Sequence, residues 1–279
     1  MNNLNIYCLS IYPVQFNLFK KLKYIPVGLG KNNFSDDWLK DNTGNNISIK
    51  NPYYSEFTFH YWFWKNLIHT IPSNAWIGFC AYRRFWSNND NLHSDEIDKI
   101  INIKNFEQYA LKEIKTNWNN YEVILGEEIK LNRIKLIKII KNGGIKSIIN
   151  NYKPFISGEM NIKFQFDIFH GSGNIEKAIN ILDKNEQNDF YNFVINESSF
   201  NRGNMFICKS KDIINKFYTS LFKWLFDCEK IFGFNETDYG KKRIYAFLGE
   251  RYMSYWFKKY TIFKEWPIFF FDTKKNERY

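Results

Sequence analysis

Two stretches of this chain, LNIYCLSI at residues 4–11 and WIGFCAY at residues 76–82, run from end to end without a charged residue. A strand with one face in water alternates polar and apolar side chains, whereas a strand covered on both faces need not. The first stretch suits a central parallel strand and the second a buried one, so both are expected inside a sheet with helices on its two faces. Helical patterns interleave with such strands along the chain and dominate its second half. That order predicts an α/β fold.

The remaining punctuation fits. YIPVGLG (24–30) reads as a short strand ending in a glycine turn, and KDNTGNNIS (40–48) as a polar loop of turn formers. After Pro52 a helix is expected, with Ser55 as its cap, Glu56 in its first turn, and Phe57, Tyr61, Trp64 and Leu67 at helical spacing beside His60. Residues 107–118 suggest another helix and YEVILG (121–126) a strand. Residues 129–149 are basic and isoleucine-rich: Ile134, Ile137 and Ile140 share one helical face, Lys135, Lys138 and Lys141 another, and Gly143–Gly144 interrupts them. Residues 161–170 alternate and are expected as a strand. HGSGN then makes a turn, 175–182 a helix, NMFIC (204–208) a strand, and 213–229 and 243–258 two long helices. With neither internal repeat nor flexible linker in view, residues 1–279 are expected to form a single domain. It would carry a helical insertion at about 129–150 and a helical C-terminal segment at about 211–279.

Composition narrows the partners. The net charge of +10 favours anions, whether nucleic acid, lipid head groups or nucleotide diphosphates. Aromatics make up 20% of the chain, more than one core hides, and exposed rings suit sugar stacking, a membrane surface or an interface. Cys8, Cys80, Cys208 and Cys228 have no short spacing and are expected as reduced, buried residues. The opening MNNLNIYCLSIY lacks the pattern of a signal peptide, and no apolar run reaches the roughly 18 residues of a membrane span. A cytoplasmic protein is therefore expected. The patterns HExxH, CxxC, GxSxG, GxGxxG and the P-loop are all missing, and Asp36–Asp37 sits in a polar loop rather than after a strand. No metal site is expected.

The residues that carry chemistry begin with Arg83 and Arg84. They follow a buried strand, where α/β folds bind ligands, and a guanidinium matches phosphate oxygens bidentately. The bland alternative is a structural ion pair or a surface charge. HGSGN could present backbone amides to a phosphate or be an ordinary turn. Asp167 and His170 form a polar pair. Glu250 is either a functional carboxylate or the partner of an arginine such as Arg243.

The ordered set KDNTGNNIS, NPYYSEFTFHYWFWKN, WIGFCAYRRFW, FDIFHG, NMFICKS, FKWLFDCE and RIYAFLGERYMSYWF, spanning residue 4 to about 271, resembles a bacterial family of capsular polysaccharide or O-antigen (lipopolysaccharide) glycosyltransferases. The family began as a domain of unknown function, and some members are described as galactofuranosyltransferases. The resemblance implies a GT-A-like core: a mixed, mainly parallel sheet flanked by helices, with a helix-rich C-terminal half. It also implies a nucleotide-sugar donor, UDP-linked. The family's YSELT block falls on residues 54–58, with Phe57 in place of leucine, and its WKN element on 64–66. Its HYRRYF motif falls on 81–86, where Ala81 stands in place of histidine. Its later histidine, asparagine and Glu-Arg pair fall on His170, Asn204 and Glu250–Arg251.

On this resemblance Glu56, Asp167, His170 and Glu250 are the catalytic candidates, with Asp167 beside His170 the preferred base. Arg83, Arg84, Lys65, Tyr82 and Asn204 are expected to hold the donor. Tyr54, Trp64, Asn66 and Arg251 are expected around the acceptor or behind the residues that touch it. The arginines would do the work of a metal ion on the leaving diphosphate, with no cofactor. The acceptor is expected to be a glycan, often lipid-linked, with peripheral contact to the inner membrane through residues 129–149 or the aromatic segment YTIFKEWPIFFF. Two other readings stand beside this one: an inactive scaffold of a polysaccharide assembly complex, suggested by Ala81, and a nucleic-acid-binding module, which no RRM, KH or helix-turn-helix signature supports.

Overall fold

The computed structural model describes residues 4–13, 15–131 and 160–272. Beyond residue 131 the basic segment expected as a helical insertion lies outside them. The strands are β1 (Leu4–Ser10), β2 (Ile25–Gly28), β3 (Leu39–Lys40), β4 (Trp76–Ala81), β5 (Arg84–Trp86), β6 (Val123–Gly126), β7 (Glu128–Lys130), β8 (Ser199–Asn201), β9 (Phe206–Cys208), β10 (Phe263–Trp266) and β11 (Ile268–Phe270). The helices before the undescribed segment are α1 (Phe16–Lys21), α2 (Asn51–Tyr54), α3 (Phe57–Asn66), α4 (Ser94–Ile100) and α5 (Phe106–Tyr109). After it come α6 (Ile162–His170), α7 (Asn174–Ile179), α8 (Lys184–Asn196), α9 (Lys211–Phe232), α10 (Tyr239–Lys242) and α11 (Ile244–Tyr260).

The main sheet runs β10-β6-β9-β4-β1-β2-β3, and only β9 opposes the other six strands of that path. The two charge-free stretches are the adjacent parallel strands β1 and β4, in register from Leu4↔Trp76 to Leu9↔Ala81. Their side chains separate cleanly by face. Tyr7, Leu9, Ile77 and Phe79 enter one core with α3, α9 and α11, while Ile6, Cys8, Trp76 and Cys80 enter the other with Phe19, Trp118 and Trp266. Charge is excluded because each strand feeds two cores at once. Gly78 sits where a Cβ would lie 3.0 Å from Ile207 and 3.2 Å from Ile6, so the close approach there is to the neighbouring strands. All four cysteines are free and buried. Among the described residues no helix is long and apolar enough to cross a membrane.

The sequence misreads three places. Residues 161–170 are helix α6, not a strand: Asn161 caps it by accepting from Phe164 N at 2.8 Å, and Lys163 and Asp167 pair one turn apart. Period-2 apolarity arises here because the helix is buried on most sides. Asp167 and His170 therefore do not sit at a strand end. Residues 107–118 are not one helix. The chain leaves α5 so that Leu111 N can bond Trp86 O at 2.9 Å, and a 3-10 turn follows at Thr116–Trp118. Finally, Ser55 does not cap α3. It ends α2 with φ 53° and ψ −134°, and its hydroxyl faces a side chain.

Candidate active site

At the carboxyl end of β4, where the strand path changes direction into β9, several elements enclose a cleft of about 190 Å³. Cys80 and Ala81 come from β4 and Arg84 from β5. Gly203, Asn204 and Met205 come from the loop before β9, and Glu56 from the start of α3. Arg243, Ala246, Phe247 and Glu250 come from the start of α11. Ligands of open α/β sheets bind at this kind of position.

Glu56 is aimed by the backbone before it. A φ of 53° is uncommon for serine and costs on the order of 1–3 kcal/mol, so the surroundings must enforce it. Asn51 Nδ2 donates to Ser55 O at 3.0 Å and to Thr58 Oγ1 at 3.1 Å, and Thr58 Oγ1 donates to Asp41 Oδ2 at 2.6 Å. Asp41 is fully buried and its other oxygen accepts from Gly30 N at 2.8 Å. Burial pushes its pKa up, against the bonds from Thr58 and Gly30. This braced corner turns Glu56 into the cleft.

There Glu56 Oε2 accepts from the Ser55 hydroxyl and, at 3.1 Å, from Asn204 Nδ2. Among the described residues Glu56 Oε1 accepts no hydrogen bond. Asn204 is fixed in turn by His60, which is wholly buried. His60 Nε2 lies 3.0 Å from Asn204 O, and Nδ1 lies 2.7 Å from Tyr218 Oη. A carbonyl only accepts, so Nε2 carries the proton; in the neutral ring Nδ1 then accepts from the Tyr218 hydroxyl. Burial pushes the His60 pKa down to about 4 and keeps the ring neutral.

Glu250 faces the cleft but is spoken for. Gly203 N donates to its Oε1 at 2.5 Å and Arg251 Nη1 to its Oε2 at 2.5 Å. Arg251 is buried against Phe200, 4.3 Å from its ring, and also donates to Gln165 Oε1 at 2.9 Å. Gly203 has φ +79°, which a glycine adopts without cost and which turns its N–H onto Glu250. Glu250 and Arg251 thus form a fixed pair, and Arg243, which also lines the cleft, bonds Ser55 and Tyr239 instead.

Arg84 is the reverse case. It is largely out of solvent, with its guanidinium over the Phe270 ring at 4.6 Å, yet among the described residues it makes neither a hydrogen bond nor an ion pair. Burial first, then the charge of Arg202, push its pKa down to about 10 against the opposing pull of Asp98. Arg83 is exposed at the two-residue turn between β4 and β5, over the Tyr82 ring at 4.8 Å, and does not line the cleft. Arg243 does line it, donating to the Ser55 and Tyr239 hydroxyls.

Of the expected site residues, Glu56, Arg84, Asn204 and Glu250 meet in the cleft. Arg251 stands behind Glu250. Tyr82 is buried beside Tyr12, 5.4 Å between rings, next to the cleft strand. His170 lies one layer back, stacked on Phe247 at 3.9 Å, with Nδ1 3.1 Å from Gly240 O; burial, then Arg251, hold its pKa well below the usual histidine value. Asp167 turns away from His170: it accepts from Lys163 Nζ at 2.8 Å and Gly173 N at 3.0 Å. Tyr54 is core, donating to Glu229 Oε1 at 2.6 Å. Trp64 stacks on Phe222 and bonds Asn215, Lys65 lies over the Trp64 ring at 3.2 Å, and Asn66 clamps the 43–46 loop through Asn45. Ser55, His60, Arg202 and Arg243 were not among the expected site residues. His60 carries a signal, a histidine inside an aromatic helical stripe; the others depend on contacts between distant segments. Among the described residues no three His, Cys, Asp or Glu side chains gather as a metal site.

A helix-flanked, mainly parallel sheet in which β5 and β9 run against β4, with a cleft at the carboxyl end of that strand, is a GT-A-like fold. The chain belongs to the family of the domain of unknown function DUF4422, whose model matches residues 6–261. It is also similar to the apo structure of the WbbM bifunctional glycosyltransferase, at 22% identity and a TM-score of 0.72, covering 96% of this chain. The chain spans about 45% of the length of that solved chain. No protein of curated function matches it.

Proposed function

We propose that this protein is a glycosyltransferase of EC class 2.4 that moves a sugar from a UDP-linked donor to a hydroxyl of a growing bacterial surface glycan. Arg84 carries the reading: a guanidinium largely withdrawn from water that makes neither a hydrogen bond nor an ion pair among the described residues, with only the longer-range pull of Asp98 on it, is a site prepared for an anion. Glycosyl transfer supplies one. As the bond between the anomeric carbon and the diphosphate oxygen breaks, charge builds on the diphosphate, and Arg84 meets that charge in place without reorganisation. The acceptor oxygen forms the new bond to the anomeric carbon, and its proton passes to Glu56 Oε1. Glu56 is preferred as base over Glu250, whose oxygens already hold Gly203 and Arg251, and over Asp167, which is bound by Lys163 and Gly173. A structural relative that is a bifunctional glycosyltransferase supports the class of reaction.

The finer reading follows the family resemblance. The donor sugar is galactose, in its furanose or pyranose form, the product a capsular or O-antigen glycan, and no metal ion is required. The protein works in the cytoplasm, with peripheral contact to the membrane that carries its acceptor. The test is release of UDP from UDP-galactofuranose and UDP-galactopyranose in the presence of glycan acceptors. Acceptor-dependent release by the wild type and its loss in Glu56→Gln support the reading. A wild type that releases none from any UDP-sugar favours the inactive scaffold, in keeping with Ala81 on the cleft wall.

A further inference from the structure

The cleft holds a second arginine that direct charge pairing leaves open. Arg243 stands at the junction of α10 and α11, and its two hydrogen bonds go to hydroxyls, those of Ser55 and Tyr239. Among the described residues it forms no ion pair. Its guanidinium is flanked by aromatic rings, 5.1 Å from the Tyr239 centroid and 5.9 Å from that of Phe247. Phe247 and Arg243 both line the cleft, while Tyr239 is largely exposed. The other cleft arginine, Arg84, enters from β5 and lies over Phe270, whereas Arg243 enters from the start of α11. The two guanidinia therefore approach one cleft from different elements and against different rings.

The acids nearby do not cancel Arg243. Glu250 is paired with Arg251. Glu56 reaches Arg243 only through the Ser55 hydroxyl, which accepts from the arginine and donates to the carboxylate. A planar guanidinium with neutral partners retains donors and charge for a bidentate anion. We infer that Arg243 is a second anion subsite, distinct from the diphosphate site at Arg84, and that it takes an anionic group on the acceptor: a phosphate ester or a sugar carboxylate. Ser55 then links that subsite to Glu56, so that a bound acceptor anion lies one hydroxyl away from the group that removes the acceptor proton. The inference rests on the donor reading for what fills the Arg84 side, but not for the existence of the Arg243 subsite.

The experiment uses the full chain and three probes: UDP, methyl phosphate and glucuronate. UDP affinity is measured by calorimetry, and binding of the two small anions to UDP-saturated protein by ligand-observed NMR. Wild type is expected to bind at least one small anion with UDP in place. Arg243→Gln is expected to weaken that binding tenfold or more and to change UDP affinity less than threefold, while Arg84→Gln weakens UDP tenfold or more. Arg243→Lys, which keeps the charge and loses the fork, is expected to fall between, and serves if the glutamine variant is unfolded by circular dichroism. Tighter methyl phosphate points to a phosphate-bearing acceptor and tighter glucuronate to an acidic sugar. The inference is overturned if UDP-saturated wild type binds neither anion, or if Arg243→Gln loses UDP as severely as Arg84→Gln, since one diphosphate would then span both arginines. If wild type does not bind UDP at all, the donor reading fails. The anion titrations without nucleotide then decide Arg243 by the same tenfold criterion.

Discussion

Asn204 Nδ2 donates to Glu56 Oε2 at 3.1 Å, and the carbonyl of the same asparagine accepts from the buried ring of His60. One residue from the loop before β9 thus joins the carboxylate of the cleft to the core between β4 and α9. A run of hydrogen bonds follows, from Tyr239 through Arg243, Ser55, Glu56, Asn204 and His60 to Tyr218.

Glu56→Gln keeps the shape of the side chain and removes its basicity. Turnover is expected to fall by about 10²–10⁴-fold, the usual worth of general acid–base catalysis. UDP affinity should stay within about threefold of wild type. Steady-state kinetics with calorimetry checks both, and a raised KM with kcat unchanged would assign Glu56 to binding instead.

Arg84→Gln tests the uncompensated charge through stability. Removing a paired charge from a protein interior destabilises, because its partner is stranded. Here no partner is stranded among the described residues, so the variant is expected to unfold at the same urea concentration as wild type or a higher one. A loss of more than about 2 kcal/mol, beyond what its contact with the Phe270 ring is worth, would mean that Arg84 has a structural ion pair.

His60 sets an acid limit. Its pKa is near 4 in the fold and about 6.5 when unfolded, so above pH 6.5 both states are neutral and it contributes no pH dependence. As pH falls from 6.5 towards 4 the unfolded state takes up the proton first, and stability drops by about 1.4 kcal/mol per pH unit from this group. His60→Gln lacks that proton. Urea melts at pH 7 and pH 4.5 are therefore expected to show the stability advantage of wild type over the variant shrinking on acidification. A constant difference would contradict a neutral, buried His60.

Gly203→Ala forces a side chain onto a backbone at φ +79°, although the space is open, with the nearest atom of Met205 at 3.6 Å. The cost is conformational, about 1–2 kcal/mol. The N–H that holds Glu250 should move with it. Denaturant melts measure the first effect. An alanine variant as stable as wild type would contradict the left-handed geometry at this position.

Much of the framework was legible in the sequence for a physical reason. β1 and β4 exclude charge because they face two cores, and that pattern is local. So are the amphipathic stripe of α9 and the YRR that follows β4. Period alone failed at α6, since Ile162, Phe164, Phe166 and Ile168 alternate like a strand although Lys163, Asp167 and His170 share one helical face. The site was half legible. Glu56, Arg84, Asn204 and Glu250 announce themselves through type and position in motifs. What separates Glu56 from Glu250 is which hydrogen bonds each already holds, and those partners lie far off in sequence: Asn204 for one, Gly203 and Arg251 for the other. Arg83 and Arg84 are adjacent in the chain yet diverge, because the tight turn between β4 and β5 sends one outward and one in. Arg243 is one basic residue among many until the fold brings it against Ser55.

The most direct test is calorimetric titration of UDP into wild type and Arg84→Gln, each with excess EDTA and again with manganese. If arginine rather than a metal ion meets the leaving diphosphate, wild type binds UDP equally in both conditions and Arg84→Gln binds it at least tenfold more weakly in both. UDP binding that needs manganese, or that is the same in wild type and Arg84→Gln, would contradict the account.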